Sequence, residues 1–230
     1  MLKIKLILFK LKNFIIIIKS RLKKKEIILR YKKNKKNFET LIEGKIFTQK
    51  WFLNNFEIFF NYLPKELNKK FSYLEIGSYE GLSALNILSN YPNANVTTID
   101  LWDLSNTNSE SLDVNFDEVE KRFDENLKEY RFTKIKKDSV VALRELLKKN
   151  ILFDIIYIDG SHNGEDILSD ALESYKLLNT NGIIIFDDIV NANKNISVQS
   201  YKGFEKFCEI HSNKLQILYL KNIAVVKKIK

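Results

Sequence analysis

The sequence predicts an α/β fold: a mostly parallel sheet of seven strands with helices on both faces, ending in an antiparallel hairpin. Three observations predict it. Beyond Lys70, short runs rich in β-branched and aromatic residues alternate with stretches of helical apolar spacing, which implies parallel strands joined by crossover helices. The last two runs are parted only by a turn at Lys221 and Asn222, which suits a hairpin and no crossover. Glycine is scarce, yet five of the seven, Gly77, Gly81, Gly160, Gly164 and Gly182, lie in or beside the loops between elements.

Taken in order, Trp51, Phe52, Phe56, Phe59, Phe60 and Leu63 recur at helical spacing, with Thr48 placed to cap the helix and Pro64 to end it. Strands are predicted at Tyr73–Ile76, Val96–Leu101, Thr133–Lys136, Asp154–Ile158, Ile183–Phe186, Gln216–Leu220 and Ala224–Lys228. Helices are predicted over Leu82–Ser89, through Phe116, Val119, Phe123 and Leu127, over Val140–Leu147, through Ile167, Leu168, Ala171, Tyr175 and Leu178, and over Phe204–His211.

The 230 residues allow one good-sized domain with an appendage. Charge divides the chain. Residues 1–38 carry 14 of the 38 Lys and Arg and one acid, Glu26, which leaves 24 bases against 28 acids in residues 39–230. A basic arm (1–38) thus precedes a mildly acidic domain (39–230). The net charge of +9 belongs to the arm, so it is no argument for a nucleic-acid-binding domain. The arm's longest apolar run, Phe14–Ile18, is far short of the roughly 20 residues of a membrane span, and no signal-peptide pattern appears. Lysines interleaved with Leu, Ile and Phe suit an anionic membrane surface; a solvated, partly helical extension is the other reading. The single cysteine, Cys208, cannot form an internal disulfide, and the expected location is cytoplasmic, peripheral at a membrane if the arm binds lipid.

Folds of this class bind ligands at the carboxyl ends of their strands. The first such loop lies in LEIGSYEGLS, residues 74–83, where Gly77 permits a tight turn and Gly81 a close helix start. Glu75 and Glu80 flank it, which disfavours a phosphate and suits a ligand bearing an ammonium and a sulfonium. Asp100, at the end of the second strand, is placed to accept hydrogen bonds from two ribose hydroxyls. That combination describes S-adenosylmethionine.

YLEIGSYEGLSALNIL, TTIDLWD, FDIIYIDGSHNGEDILSDALESYKLL and NGIIIFDDI resemble a class I S-adenosylmethionine-dependent methyltransferase, with the methyltransferase 24 family most similar, over residues 48–229. The resemblance implies a Rossmann-like seven-stranded sheet. It also implies that Glu75, Gly77, Ser78, Gly81 and Ser83 surround the methionine part of the cofactor, that Asp100 holds the ribose, and that Trp102, Asp138 and Ser139 lie near the adenine. Glu75 and Tyr79 depart from the commoner D-x-G-x-G pattern.

Asp159 ends the fourth strand and Asp187 with Asp188 the fifth. Three carboxylates on one rim suit Mg²⁺ or Mn²⁺ better than Zn²⁺; alternatively, Asp187 and Asp188 cap the following segment and Asp159 orients the cofactor. The pattern is similar to catechol-type and macrocin-type O-methyltransferases. Where catechol-type enzymes carry a lysine, this chain has His162, a side chain able to take a proton near neutral pH, whose other reading is a helix cap or a cofactor contact. His211, among Phe204, Phe207 and Cys208, reads as structural.

The resemblance therefore implies a methyltransferase, expected to act on the oxygen of a small hydroxylated acceptor, of sugar or natural-product type, with Asp159 and His162 preparing the acceptor. A metal-independent N-methyltransferase and a non-catalytic platform recruited by the arm are the alternatives. The polar segments Ser105–Asn115 and Val190–Gln199 read as lids that would select the acceptor.

Overall fold

The computed structural model describes residues 25–103, 115–189 and 196–230, with the backbone alone at 196–198. Residues 1–24 of the arm, 104–114 of the first proposed lid and 190–195 of the second lie outside them.

The chain forms two compact units. One holds residues 25–45 and 53–63. In it, helix α1 (residues 25–42) and helix α2 (Phe56–Tyr62) meet through aromatic rings: Phe38 stacks on Phe56 at 5.7 Å, and Tyr31 meets the edge of Phe60 at 5.4 Å. The single helix expected from Thr48 is broken. A 3₁₀ turn (Trp51–Asn54) precedes α2, and Thr48 caps neither, because both its amide and its hydroxyl donate to Glu80. Pro64 does end the run, since Leu63 before it is extended, as a residue preceding proline must be.

The other unit holds residues 46–52 and 64–230. Its elements are β1 (Ser72–Ile76), α3 (Leu82–Asn90), β2 (Asn95–Asp100), α4 (Phe116–Leu127), β3 (Thr133–Lys136), α5 (Ser139–Lys148), β4 (Phe153–Ile158), α6 (Gly164–Leu177), β5 (Leu178–Phe186), α7 (Ile196–Ile210), β6 (Leu215–Leu220) and β7 (Ala224–Lys228). The sheet order is β3-β2-β1-β4-β5-β7-β6, with β7 antiparallel to both β5 and β6. The seven-stranded Rossmann-like fold is thus as the sequence predicts. Several boundaries differ, most of all that of α7, which begins at Ile196 and not at Phe204 and so takes in residues 196–199 of the second proposed lid. Leu178 leaves the helix to pair with Phe153 at the start of β5, His211 falls in the turn after α7, and the hairpin turn also takes in Ile223, which is buried.

The two faces of the sheet are unlike. Leu74, Ile76, Ile99, Ile156, Ile158, Ile184 and Phe186 form one face, packed with Ala142, Leu143 and Leu146 of α5, Ile167 and Ala171 of α6, and Phe204 and Phe207 of α7. Each large side chain fully buried there contributes about 1.5–3 kcal/mol. The other face, one residue out of phase, carries Tyr73, Glu75, Thr98 and Tyr157, all fully buried, with Glu75 in register with both Thr98 and Tyr157.

Helices α6 and α7 cross where two glycines meet. A Cβ on Gly203 would lie 2.2 Å from the Gly164 carbonyl oxygen, and one on Gly164 would lie 2.3 Å from that of Gln199. The close crossing lets the buried Ser200 hydroxyl donate to the His162 carbonyl (2.9 Å) and so fixes the loop after β4. Gly203→Ala should force the helices apart and lower stability by about 1–3 kcal/mol, read as a fall in melting temperature.

Candidate active site

The ladder hydrogen bonds continue past the strand ends. Gly77 N–H donates to the Ile99 carbonyl, Asp159 N–H to Ile76 and Asp187 N–H to Ile158, so the loops after β1, β2, β4 and β5 form one rim. Gly77 has φ +82°, and a Cβ there would lie 2.1 Å from the Asp159 carbonyl oxygen. Only glycine fits, and the loop is drawn down onto β4. Gly81, also at positive φ, serves packing: a Cβ would press on Phe123 and Leu127 of α4 at 3.0 Å.

Asp100 ties the first loop to the second. Its Oδ2 accepts the Tyr79 amide and its Oδ1 the Trp102 amide, both at 2.8 Å, while the Trp102 indole Nε1–H donates to the Tyr79 carbonyl at 2.8 Å. Tyr79 and Trp102 are both left-handed (φ 48° and 43°), held so by this clasp. Burial raises the Asp100 carboxyl above the ordinary carboxylate range, opposed by the surrounding backbone amides. Each carboxylate oxygen keeps a lone pair for a further donor. Trp102 is buried, with its ring on Phe123 at 4.7 Å.

Glu75 is fully buried beneath this loop. Tyr73 Oη donates to its Oε2 at 2.9 Å, yet Oε1 and the buried Ser78 Oγ have no partner among the described residues. Burial pushes the Glu75 carboxyl up to about 7, opposed first by the Tyr73 hydroxyl and then by those of Ser83 and Ser78, which lie near it without a well-aligned hydrogen bond. A buried acceptor without a donor is costly, and an ammonium group is the donor it suits. Glu80 does otherwise than its position suggests. It is buried and gathers the Thr48 amide (2.7 Å), the Thr48 hydroxyl (2.8 Å) and Arg122 Nε, a structural clasp rather than a charge facing a ligand.

The expected three-acid cation site does not form. The Tyr157 hydroxyl lies 2.8 Å from Asp159 Oδ2 and also bonds Asp187 Oδ2. The one hydroxyl proton is thus shared between the two carboxylates in a three-centre hydrogen bond. Burial and mutual repulsion raise the Asp159 carboxyl well above its ordinary range, and burial lifts Asp187 to about 6. Asp188, at φ 48°, turns toward His162 instead, with 3.8 Å between Oδ2 and Nδ1. Among the described residues no three His, Cys, Asp or Glu side chains converge on a cation position.

His162 is half exposed at the rim. It does not cap α6; that is Asn163, whose Oδ1 accepts the Glu165 amide at 3.0 Å. Asp138 caps α5 through the Val141 amide (3.0 Å), and Ser139 Oγ donates to Asp170 Oδ1 at 2.5 Å. Sequence reasoning missed Tyr73, Tyr157 and Asp170. Tyr-x-acid occurs twice, in Tyr73-Leu74-Glu75 and Tyr157-Ile158-Asp159, and alternation along a strand puts each tyrosine on its acid's face; that signal was readable.

A family model described as a methyltransferase domain, methyltransferase 24, matches residues 74–189. No curated protein matches the chain. Among solved structures, the chain is similar to an O-methyltransferase from Bacillus cereus in complex with SAH (TM-score 0.50, 19% identity, 68% of this chain and 74% of that one). It is similar also to the MycE methyltransferase of the mycinamycin biosynthetic pathway, in complex with Mg, SAH and mycinamycin VI (TM-score 0.53, 18% identity, 83% of this chain), of which it spans about half the length (54%). A putative rRNA-methylase from Clostridium thermocellum matches over 80% of this chain and 100% of its own (TM-score 0.55, 15% identity). At these identities the neighbours speak for the fold; the match from the first strand to the loop after the fifth, over half of the chain, shows that it belongs to the methyltransferase 24 family and is a methyltransferase.

Proposed function

We propose that the protein transfers a methyl group from S-adenosylmethionine to the oxygen of a small hydroxylated acceptor. The observation that carries the cofactor is the fully buried Glu75, whose Oε1 makes no hydrogen bond among the described residues, beside a glycine that no other residue can replace. Glu75 and Ser78 would hold the ammonium end and Asp100 the ribose hydroxyls. Bound S-adenosylmethionine supplies an electrophilic methyl on a sulfonium.

His162 takes the proton that the acceptor oxygen loses as it gains the methyl. Asp188 Oδ2 faces Nδ1 at 3.8 Å, which leaves Nε2 for the acceptor. Positioning supplies the remainder of the rate. Mg in the mycinamycin neighbour motivates a divalent cation here, but Asp159, Asp187 and Asp188 do not fit one as arranged, so no step is routed through a metal.

Asp100→Ala should weaken S-adenosylmethionine binding in calorimetry by roughly 5- to 150-fold, the equivalent of about 1–3 kcal/mol. Binding should also weaken as pH falls. An ammonium needs the Glu75 carboxylate charged, so below about 7 binding must expel a proton, at a cost of about tenfold per pH unit. Affinity at pH 6 should be roughly tenfold below that at pH 8, and Glu75→Gln should bind weakly with no such step.

His162→Ala should slow methyl transfer by about 10²-fold, with a smaller deficit at high pH where the acceptor ionises unaided. Full activity in the variant assigns His162 to the loop alone. Turnover should survive a chelator; loss restored by Mg²⁺ or Mn²⁺ would return the acid rim to the metal reading.

For the basic segment we propose contact with anionic membrane surfaces. In α1, Ile27, Ile28 and Leu29 are exposed amid Lys25, Arg30, Lys32 and Lys33, a mixture of apolar and cationic groups that suits a headgroup layer. No described helix is long and apolar enough to cross a membrane. Co-sedimentation with anionic liposomes should fall steeply with salt and be absent with neutral ones, and removing residues 1–38 should abolish it; indifference to lipid charge would leave the segment as a solvated extension.

A further inference from the structure

Helix α7 turns one face toward the start of α6. Gln199, Ser200 and Gly203, which helical spacing brings together, form that face. The Gln199 carbonyl and Gly203 both press on Gly164, so no side chain separates the two backbones. At this crossing Ser200 is fully buried, and its hydroxyl donates to the His162 carbonyl at 2.9 Å. One and two turns further along α7, Phe204 and Phe207 are packed in the apolar core, so the hydroxyl is carried by an element with little room to shift.

The bond holds one particular peptide. His162 precedes Asn163, the cap of α6, so its carbonyl lies outside the hydrogen-bond ladder of the helix. Its neighbours are tied separately: Ser161 Oγ donates to Asp166 Oδ2 at 2.7 Å and accepts the Asn163 amide at 3.1 Å. The acid that faces the imidazole is fixed from elsewhere. Asp187 N–H donates to the Ile158 carbonyl (2.9 Å) and Ile189 N–H to the Asn222 carbonyl in the hairpin turn (2.8 Å), which holds Asp188 between sheet and hairpin at φ 48°. Asp188 Oδ2 and His162 Nδ1, at 3.8 Å, stand just beyond a hydrogen bond. A small displacement of the His162 backbone therefore decides whether the pair closes or is lost, and a misplacement of about 1 Å can cost as much as 10²-fold in rate.

We propose that Ser200 is a positioning residue that, by holding the His162 carbonyl, sets the imidazole against Asp188 and so directs Nε2 toward the acceptor. The two glycines already fasten α7 to α6, and the apolar core gains nothing from a hydroxyl that alanine would not supply. What the hydroxyl adds is the orientation of one peptide. A carbonyl deprived of its donor turns to find another, and a turn of the His162 peptide swings its side chain. The inference rests on His162 as the group that takes the acceptor's proton, but its test reads the place of the ring and not the reaction.

The chain has two histidines, His162 and His211. Full-length protein labelled with carbon-13 at histidine Cε1 therefore gives two imidazole signals in nuclear magnetic resonance, assigned with His162→Ala. At a fixed pH, Asp188→Asn should shift the His162 signal and leave that of His211 in place. Ser200→Ala should displace the His162 signal, cut its response to Asp188→Asn to less than half, and leave His211, in the turn after α7, unmoved. Affinity for S-adenosylhomocysteine in calorimetry should stay within twofold of wild type. Ser174→Ala, which deletes another fully buried hydroxyl, on α6, should move neither signal. Should Ser200→Ala fail to fold, Ser200→Cys, a weak donor of nearly the same shape, takes its place. An undiminished response to Asp188→Asn in the Ser200 variant overturns the inference, as does a wild type in which Asp188→Asn leaves His162 unmoved. Displacement of both signals, or a tenfold loss of S-adenosylhomocysteine affinity, shows a fold-wide role for Ser200 and overturns it too. Failure of the reading of His162 itself shows separately, as an undiminished rate of methyl transfer in His162→Ala.

Discussion

The carboxylate of Asp100 accepts two amides from two loops, and the site's geometry depends on those two hydrogen bonds. They hold Tyr79 and Trp102 in left-handed conformations that neither residue favours, at a cost of order 1–3 kcal/mol each. The loops would relax without that anchor. Once held, the first loop covers Glu75 and brings Gly77 within backbone contact of Asp159, so that β1, β2 and β4 present their ends as one surface. Glu80 secures the same loop from its other end through Thr48 and Arg122. A loop pinned at both ends by buried acids needs little reorganisation to receive a ligand.

Acids used in this way must be kept from repelling one another. Glu75, Asp159 and Asp187 lie on one sheet face within a few residues of the rim, where their charges cannot all be screened by water. Tyr73 and Tyr157 resolve part of the conflict, each supplying a hydroxyl to an acid two residues ahead on its own strand. Burial and mutual repulsion raise all three carboxyls, so each takes up a proton more readily than an exposed acid does. The same condition disfavours a cation site in the arrangement observed. Tyr157 shares Oδ2 of both Asp159 and Asp187, Asp187 Oδ1 accepts the Asp188 amide, and the Asp188 side chain is turned toward His162.

Much of this was legible in the sequence, and what was not has a common cause. Strand positions follow from alternation and local composition, so Tyr73–Ile76 and Thr133–Lys136 fall within one residue of β1 and β3. Acids at strand ends are legible because the fold class fixes which end carries ligands. Thr48 and Glu80 are 32 residues apart and Arg122 and Glu80 are 42, so no local pattern shows that Glu80 is consumed internally. Likewise Asp170 has the spacing of a helix-surface acid, and only the packing of α6 beside α5 shows it to be buried against Ser139, 31 residues earlier. Side-chain chemistry was readable residue by residue; its partners were set by tertiary contacts.

The contrast between the two sheet faces explains how the chain tolerates so much buried charge. On one face an apolar layer shared by five strands and α5, α6 and α7 supplies the burial that stabilises the unit. Its rigidity is increased where α6 and α7 touch backbone to backbone at Gly164 and Gly203. The opposite face then carries acids, tyrosines and unpartnered oxygens that oppose folding yet do not govern it. Alternation along each strand couples the two, because a slip of register that disturbed one face would carry every side chain to the other. A well-packed face is therefore what keeps Glu75 and Tyr157 in register on the other.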